Sequence, residues 1–306
     1  MTRYNGPFET GEDRMHVFVT GATGWVGSAV VDELIGAGHR VTGLSRSDGK
    51  AAALAAAGAA VLRGTLDDLD LLRNAATTAD AVIHTAFNHD FSKFAENARQ
   101  DQRAIETLGS ALQGSDKLLL VTSGVALLAP GRVAIEADVP SFDPSYPRKS
   151  EMAARALAAR GVRAASIRLA PSVHGLGDHG FVPRLIAIAR EKGVSAYIGD
   201  GLNRWPGVHR LDAARLYRLV LEQGATELAY HAIADEGVAF KDIAAVIGRR
   251  LGLPVESRDR AHFGGFADFA GADIAASSAH TRALLGWRPT GPDLLSDIDQ
   301  PGYYAV

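Results

Sequence analysis

Three glycines spaced three residues apart, Gly21, Gly24 and Gly27, lie in the segment Thr20-Gly21-Ala22-Thr23-Gly24-Trp25-Val26-Gly27. A short apolar run precedes this segment and an amphipathic helical pattern follows it. That context makes the spacing a phosphate loop. Gly21 permits the tight turn, Gly24 lets the backbone approach a pyrophosphate, and Gly27 lets helix and strand pack closely. The segment through Thr23, Trp25 and Val26 meets the anion with main-chain amides at the positive end of a helix. The ligand implied is a nicotinamide dinucleotide. At the end of the next strand, where an NAD site carries an acid for the ribose, stands Ser45-Arg46-Ser47. A guanidinium and two hydroxyls suit a 2′-phosphate, so NADP is expected in preference to NAD. Downstream, His174, His179 and His209 offer imidazoles that could act as acids near neutral pH, or simply serve as structural hydrogen bonders. Their spacing is not that of a helical ligand pair and no carboxylate cluster completes a shell, so no metal is expected.

The elements that position these groups are legible as alternation. Apolar runs at 16–20, 40–44, 60–63, 81–84, 118–122 and 164–169 are separated by Ala- and Leu-rich segments. This order predicts β-α-β units, hence an α/β fold with a doubly wound parallel (Rossmann) sheet. Helices are expected over 25–35, over the Ala-rich 51–60, over 93–112 and over 147–159. Leu66, Leu69 and Leu72 mark another, which Asp67 or Asp68 could cap. After residue 169 the rhythm changes to Gly and His clusters and mixed short elements. The expected organisation is a flexible leader at 1–14, a dinucleotide-binding domain at 15–169, and a smaller mixed substrate-binding cap at 170–306, some of whose segments return to the first domain.

Of the 306 residues, 47% are hydrophobic and 22% charged, with a formal net charge of -3. That balance gives no electrostatic footprint for nucleic acid or an anionic membrane, which leaves a small molecule as the expected partner. The absence of cysteine excludes disulfides and thiolate metal sites and suits a cytoplasmic location. No apolar run approaches the roughly 20 residues that span a bilayer.

The chain resembles the short-chain dehydrogenase/reductase superfamily in its extended and atypical forms, with the NAD-dependent epimerases and dehydratases. The resemblance runs over nearly the whole chain. It is carried by the three glycines, Val82-Ile83-His84-Thr85-Ala86, Leu120-Val121-Thr122-Ser123, and Arg168-Leu169-Ala170-Pro171-Ser172-Val173-His174-Gly175. Ile198-Gly199-Asp200-Gly201, Val208-His209-Arg210-Leu211-Asp212 and Leu285-Gly286-Trp287-Arg288-Pro289 continue it. The resemblance implies that Thr65 and Leu66 lie beside adenine, Thr85 and Ala86 near the cofactor ribose, and Pro171 and Val173 near the nicotinamide. It also implies a Ser that holds the substrate oxygen, a Tyr that passes the proton, and a Lys four residues later that lowers the Tyr pKa. Ser123 matches the first and Tyr146 the second. The Lys position holds Ser150, and Lys149 stands one residue short. This departure puts the proton transfer in doubt and brings His174, His179 and His209 forward as alternatives.

In the cap, Phe181, Tyr197, Trp205, Phe263, Phe266 and Phe269 suggest an aromatic wall, or simply the cap's own core. With Trp205 and the three histidines as candidate substrate contacts, a small, partly aromatic carbonyl compound is the expected substrate. The helices at 93–112 and 147–159 could pair across a two-fold axis to give a homodimer, as in enzymes the chain resembles, with Ala153, Ala154, Ala156 and Ala158 permitting close approach. The reading is an NADPH-dependent oxidoreductase. The alternatives are an epimerase or dehydratase that recycles its cofactor, and a non-catalytic NADP-binding sensor.

Overall fold

The computed structural model describes residues 14–126, 128–141 and 147–305. The expected leader therefore lies, but for Arg14, outside the described residues. In the first half the chain runs β1 (His16–Thr20), α1 (Trp25–Gly36), β2 (Arg40–Ser45), α2 (Asp48–Ala56), β3 (Ala60–Arg63), α3 (Leu69–Thr78) and β4 (Ala81–His84). It continues through α4 (Phe94–Ala111), β5 (Leu118–Gly124), α5 (Ser150–Ala158) and β6 (Ala164–Leu169). The second half holds β7 (Ser172–His174), α6 (Phe181–Lys192), β8 (Ser195–Ile198), β9 (Arg204–His209), α7 (Arg210–Gln223), β10 (Ala229–Ala232) and β11 (Asp235–Ala239). After these come α8 (Phe240–Leu251), β12 (Val255–Arg258), α9 (Ala267–Ala270), α10 (Ala279–Leu285) and α11 (Leu294–Ile298).

Seven parallel strands form the main sheet in the order β10-β6-β5-β4-β1-β2-β3. Strand order reverses beside β1, so the carboxyl ends of β1 and β4 frame the crevice where such sheets bind ligands. All six expected strands form, with β2 one residue longer and β5 two residues longer than the apolar pattern. The seventh, β10, comes from the C-terminal half. Its Ala-Tyr-His-Ala sequence hides it, because His231 is buried only by virtue of bonds to the Ser277 carbonyl and Arg168.

Central strands are buried on both faces. Val17, Phe18, Val19, Val82, Ile83 and Leu120 are sealed from solvent, as continuous Val/Ile/Leu runs in a parallel sheet must be. Helix α2 starts at Asp48, three residues before the Ala-rich stretch, since an acid in the first turn suits the helix dipole, and the chain turns out of it at Gly58 with φ +95°. Asp68 occupies the N-cap of α3 but its carboxylate bonds the Thr65 amide and hydroxyl rather than a helix amide. Helix α5 opens at Ser150 rather than at Pro147: Lys149 at its N-cap has φ -120° and ψ 19°. Ala153 and Ala154 are buried in the chain's own core against the sheet.

The remaining strands make a three-stranded sheet, β11-β9-β7, and a two-stranded one, β12-β8. These pack with α6 and α8 around a separate apolar cluster centred on Trp205, Phe240 and Phe263. Among the described residues, no helix is long and apolar enough to cross a membrane.

Candidate active site

At the end of β1 the chain turns through Gly21 with φ +68°. A Cβ there would come within 2.6 Å of the Ala86 nitrogen and 2.7 Å of the Thr85 hydroxyl, so the loop rests directly on the β4 exit. At Gly27 a Cβ would overlap the Gly21 carbonyl oxygen, which is why the helix can sit so close to the strand. Gly24 is exposed at the N-cap of α1, and no side chain caps that first turn. The leading amides of Trp25, Val26 and Gly27 therefore have no intrahelical acceptor, and with the positive end of the helix they form an anion cradle. The residues present fit a dinucleotide pyrophosphate. Thr85 is fixed beside them, its amide and hydroxyl both donating to the Thr20 carbonyl at 3.2 and 2.8 Å.

At the edge of the crevice, Ser45 is buried and its hydroxyl donates to the Ser47 carbonyl, while Arg46 is exposed and pairs with no described carboxylate. Asp48 is turned toward Arg63 at the end of β3, 2.6 Å away. Thr65 and Leu66 follow β3 directly, in a turn braced by Asp68, whose carboxyl the Thr65 bonds hold below the usual carboxylate range.

The other side of the crevice is built on side chains. Ser123 is half-buried near the end of β5. Tyr146 lies outside the described residues. Lys149 is half-buried at the α5 N-cap. Ser150, at the position where the resemblance implies Lys, is 1% exposed and donates to Asp101 at 2.5 Å. The other Asp101 oxygen meets His84 Nε2 at 3.0 Å, and His84 Nδ1 meets the Thr20 hydroxyl at 2.8 Å. A carboxylate only accepts, so the His84 proton facing Asp101 is on Nε2. Into this chain of bonds comes Arg148, whose Nε donates to the Ser150 hydroxyl at 2.8 Å and whose Nη2 donates to the Thr122 carbonyl at 3.1 Å. Its guanidinium lies 4.3 Å above the Phe87 ring centre. Arg148 thus places a fixed cation next to the strand residue that precedes Ser123.

Neither Arg148 nor this network was singled out from the sequence. Arg148 and Lys149 read equally well as solvated charges, and a signal existed only for Asp101, a lone carboxylate on the apolar helical face Ala98, Ala104, Ile105 and Leu108.

The cap candidates divide. Trp205 is fully buried, its indole nitrogen donating to the Phe269 carbonyl, and it packs against Phe181, Phe240, Phe266 and Phe269. It is cap core and not a substrate contact. His174 is likewise sealed: Nδ1 meets Asp297 at 2.8 Å, so the imidazole ties β7 to α11 instead of facing the crevice. His209 stands behind it, ring centres 5.7 Å apart, held below the ordinary histidine range first by burial and then by His174. His179 alone of the three is exposed, its ring edge-on to Trp25 at 5.6 Å. Trp25 itself donates to the Val173 carbonyl at 2.7 Å and lies under the Arg210 guanidinium at 4.2 Å. The glycine loop thereby carries the segment of Pro171 and Val173 that the resemblance puts at the nicotinamide.

A seven-stranded parallel sheet with this loop at its switch point defines the doubly wound dinucleotide-binding class of fold, which the chain shares with solved structures of an epimerase and a dehydratase. The comparisons refine that class. Residues 17–233 match the model of the NAD dependent epimerase/dehydratase family, and the chain belongs to it. An uncharacterized protein of Schizosaccharomyces pombe is 46% identical over 297 residues, covering 95% of this chain and 100% of its own. A second uncharacterized protein, from Saccharomyces cerevisiae, is 45% identical over 291 residues, 93% and 98% of the two chains. Among solved structures, the dTDP-glucose 4,6-dehydratase of Streptomyces venezuelae, with NAD and TYD bound, superposes with a TM-score of 0.76 at 20% identity, covering 95% of this chain and 97% of its own.

Proposed function

We propose that this chain is an NADPH-dependent reductase of a small carbonyl compound, or the corresponding dehydrogenase in the reverse direction. The observation that carries the reading is the edge of the crevice at Ser45 and Arg46. An exposed guanidinium follows β2, and the neighbouring Asp48 is engaged by Arg63. A 2′-phosphate would find a cation there, and a 2′-hydroxyl would find no acceptor carboxylate. The amides of Trp25, Val26 and Gly27 would hold the pyrophosphate, Thr65 and Leu66 the adenine side, and Thr85, Ala86, Pro171 and Val173 the nicotinamide side. Bound NADPH supplies the hydride. The Ser123 hydroxyl would hold the carbonyl oxygen, with Tyr146 as proton donor. A phenol is a ready donor at neutral pH, since its ordinary pKa is about 10.

The test is calorimetry with NADPH and NADH on wild type and Arg46→Asp, followed by a panel of ketones and aldehydes at fixed NADPH. Preferential loss of NADPH affinity in the variant, with NADPH oxidation by at least one carbonyl, is the expected result. Equal losses for the two cofactors would remove the NADP assignment. Protein that purifies with NAD already bound and interconverts substrate without net cofactor turnover would favour an epimerase or dehydratase.

A further inference from the structure

We propose that Arg148 is a substrate anchor for a carboxylate, so that the compound this crevice takes is a carbonyl carrying a carboxyl group beside an apolar or aromatic portion. The carbonyl half of that description rests on the reductase reading; the anion half rests on the geometry around Arg148.

The guanidinium is held from three sides, by Ser150 through Nε, by the Thr122 carbonyl through Nη2, and by the Phe87 ring below it. Its supports are themselves fixed. Ser150 is spent on Asp101, and the Thr122 hydroxyl donates to the His84 carbonyl at 2.8 Å with the Tyr217 hydroxyl 2.7 Å away. The ordering entropy of a long side chain is therefore met before any ligand arrives.

An arginine has five N–H donors. Two are engaged here with described residues, leaving Nη1 and one hydrogen of Nη2 in the planar fork that matches a carboxylate. No described carboxylate pairs with Arg148, and Asp101 is reached only through the Ser150 hydroxyl. Three other arginines differ, each locked to a carboxylate: Arg168 to Glu151, Arg204 to Asp273 and Arg218 to Glu33 and Glu222.

Desolvation first, then the charges of Arg148 and His179, hold the His89 imidazole below the ordinary histidine range. The floor is aromatic, with Phe87 edge-on to Phe94 at 6.0 Å and to His89 at 5.4 Å. Arg148 is bonded to the main chain of Thr122, the residue before Ser123, so an anion on Arg148 would sit at the same end of β5 as the hydroxyl proposed to hold the reacting oxygen.

Benzoate and its neutral counterpart benzamide probe the site without requiring turnover. Each is titrated by calorimetry into the full chain saturated with NADPH, for wild type, Arg148→Gln and Arg148→Lys, with thermal melts as a folding control. The expected result is that benzoate binds wild type at least tenfold more tightly than benzamide. Arg148→Gln should erase the difference while NADPH affinity persists, and Arg148→Lys should restore part of it. Equal binding of the two probes to wild type, or a benzoate preference intact in Arg148→Gln, overturns the proposal. A preserved benzoate preference with no reduction of any oxo acid would sink the reductase reading and leave the anchor standing.

Discussion

The two sides of the crevice are built in opposite ways. The glycine loop works through atoms it lacks: Gly21 and Gly27 are defined by contacts that a single Cβ would destroy, and the groups it leaves open to a ligand are main-chain amides. The β5–α5 side works through side chains, with Arg148, Ser150, Asp101, His84 and Thr20 in one run of hydrogen bonds across four elements. The first arrangement tolerates almost any substrate chemistry, because it addresses the part common to all dinucleotides. The second depends on the identity of each side chain in it, so a single substitution there changes what the crevice presents to a substrate.

Breaking the loop should have the largest effect. Gly27→Val drives side-chain atoms into the Gly21 carbonyl, and should cost about 3 kcal/mol or more by chemical denaturation while abolishing NADPH binding by calorimetry. If NADPH still binds, the cradle is elsewhere. Next comes the network. Asp101→Asn replaces a carboxylate that accepts from both Ser150 and His84 with an amide whose single oxygen can accept from only one of them. The expected loss is about 2–3 kcal/mol of stability, read in the same denaturation assay. An unchanged midpoint would show that the run of bonds is incidental.

Smaller in energy is Arg46→Asp, expected to weaken NADPH at least tenfold, about 1.4 kcal/mol, and NADH much less. The smallest effect concerns the rim. Burial pushes the Asp178 carboxyl up to about 6, against the pull of its bond from the Gly180 amide at 2.7 Å. The folded chain then holds a proton there that the unfolded chain releases near pH 4, so stability falls as pH rises from about 4 to about 6 and stays lower above that. Asp178→Asn should gain about 1 kcal/mol at pH 7.5, allowing for partial exposure, and nothing at pH 3.5. A variant no more stable at pH 7.5 would refute the burial effect.

The same contrast explains what the sequence reveals. Strands at 16–20 and 81–84 and the loop between β1 and α1 are legible because their determinants are local, namely apolar runs, turn residues and glycine spacing. The polar side is not, because each choice is made at a distance. Ser150 is claimed by Asp101, 49 positions away, and Arg148 is tied into the same network through the Ser150 hydroxyl. His174 is a plausible acid until Asp297, 123 positions on, takes its ring. Trp205 is indistinguishable from a ligand contact until α8 and α9 close around it. Within the network only Asp101, a lone carboxylate on an otherwise apolar helical face, offers a sequence signal that a partner has to exist.

Trp25 stands at the join of the two halves, its indole bonded to Val173 and covered by Arg210 while its own amide belongs to the phosphate cradle. Of the three tryptophans, Trp205 and Trp287 are fully buried and Trp25 alone reaches solvent. The chain therefore carries a built-in optical gauge. Emission from Trp25 should respond when a dinucleotide settles on the loop, and it should shift when the cap segment at Val173 moves. Loading of the cofactor and posture of the cap can then be followed together by stopped-flow fluorescence, with no label and before any substrate is known.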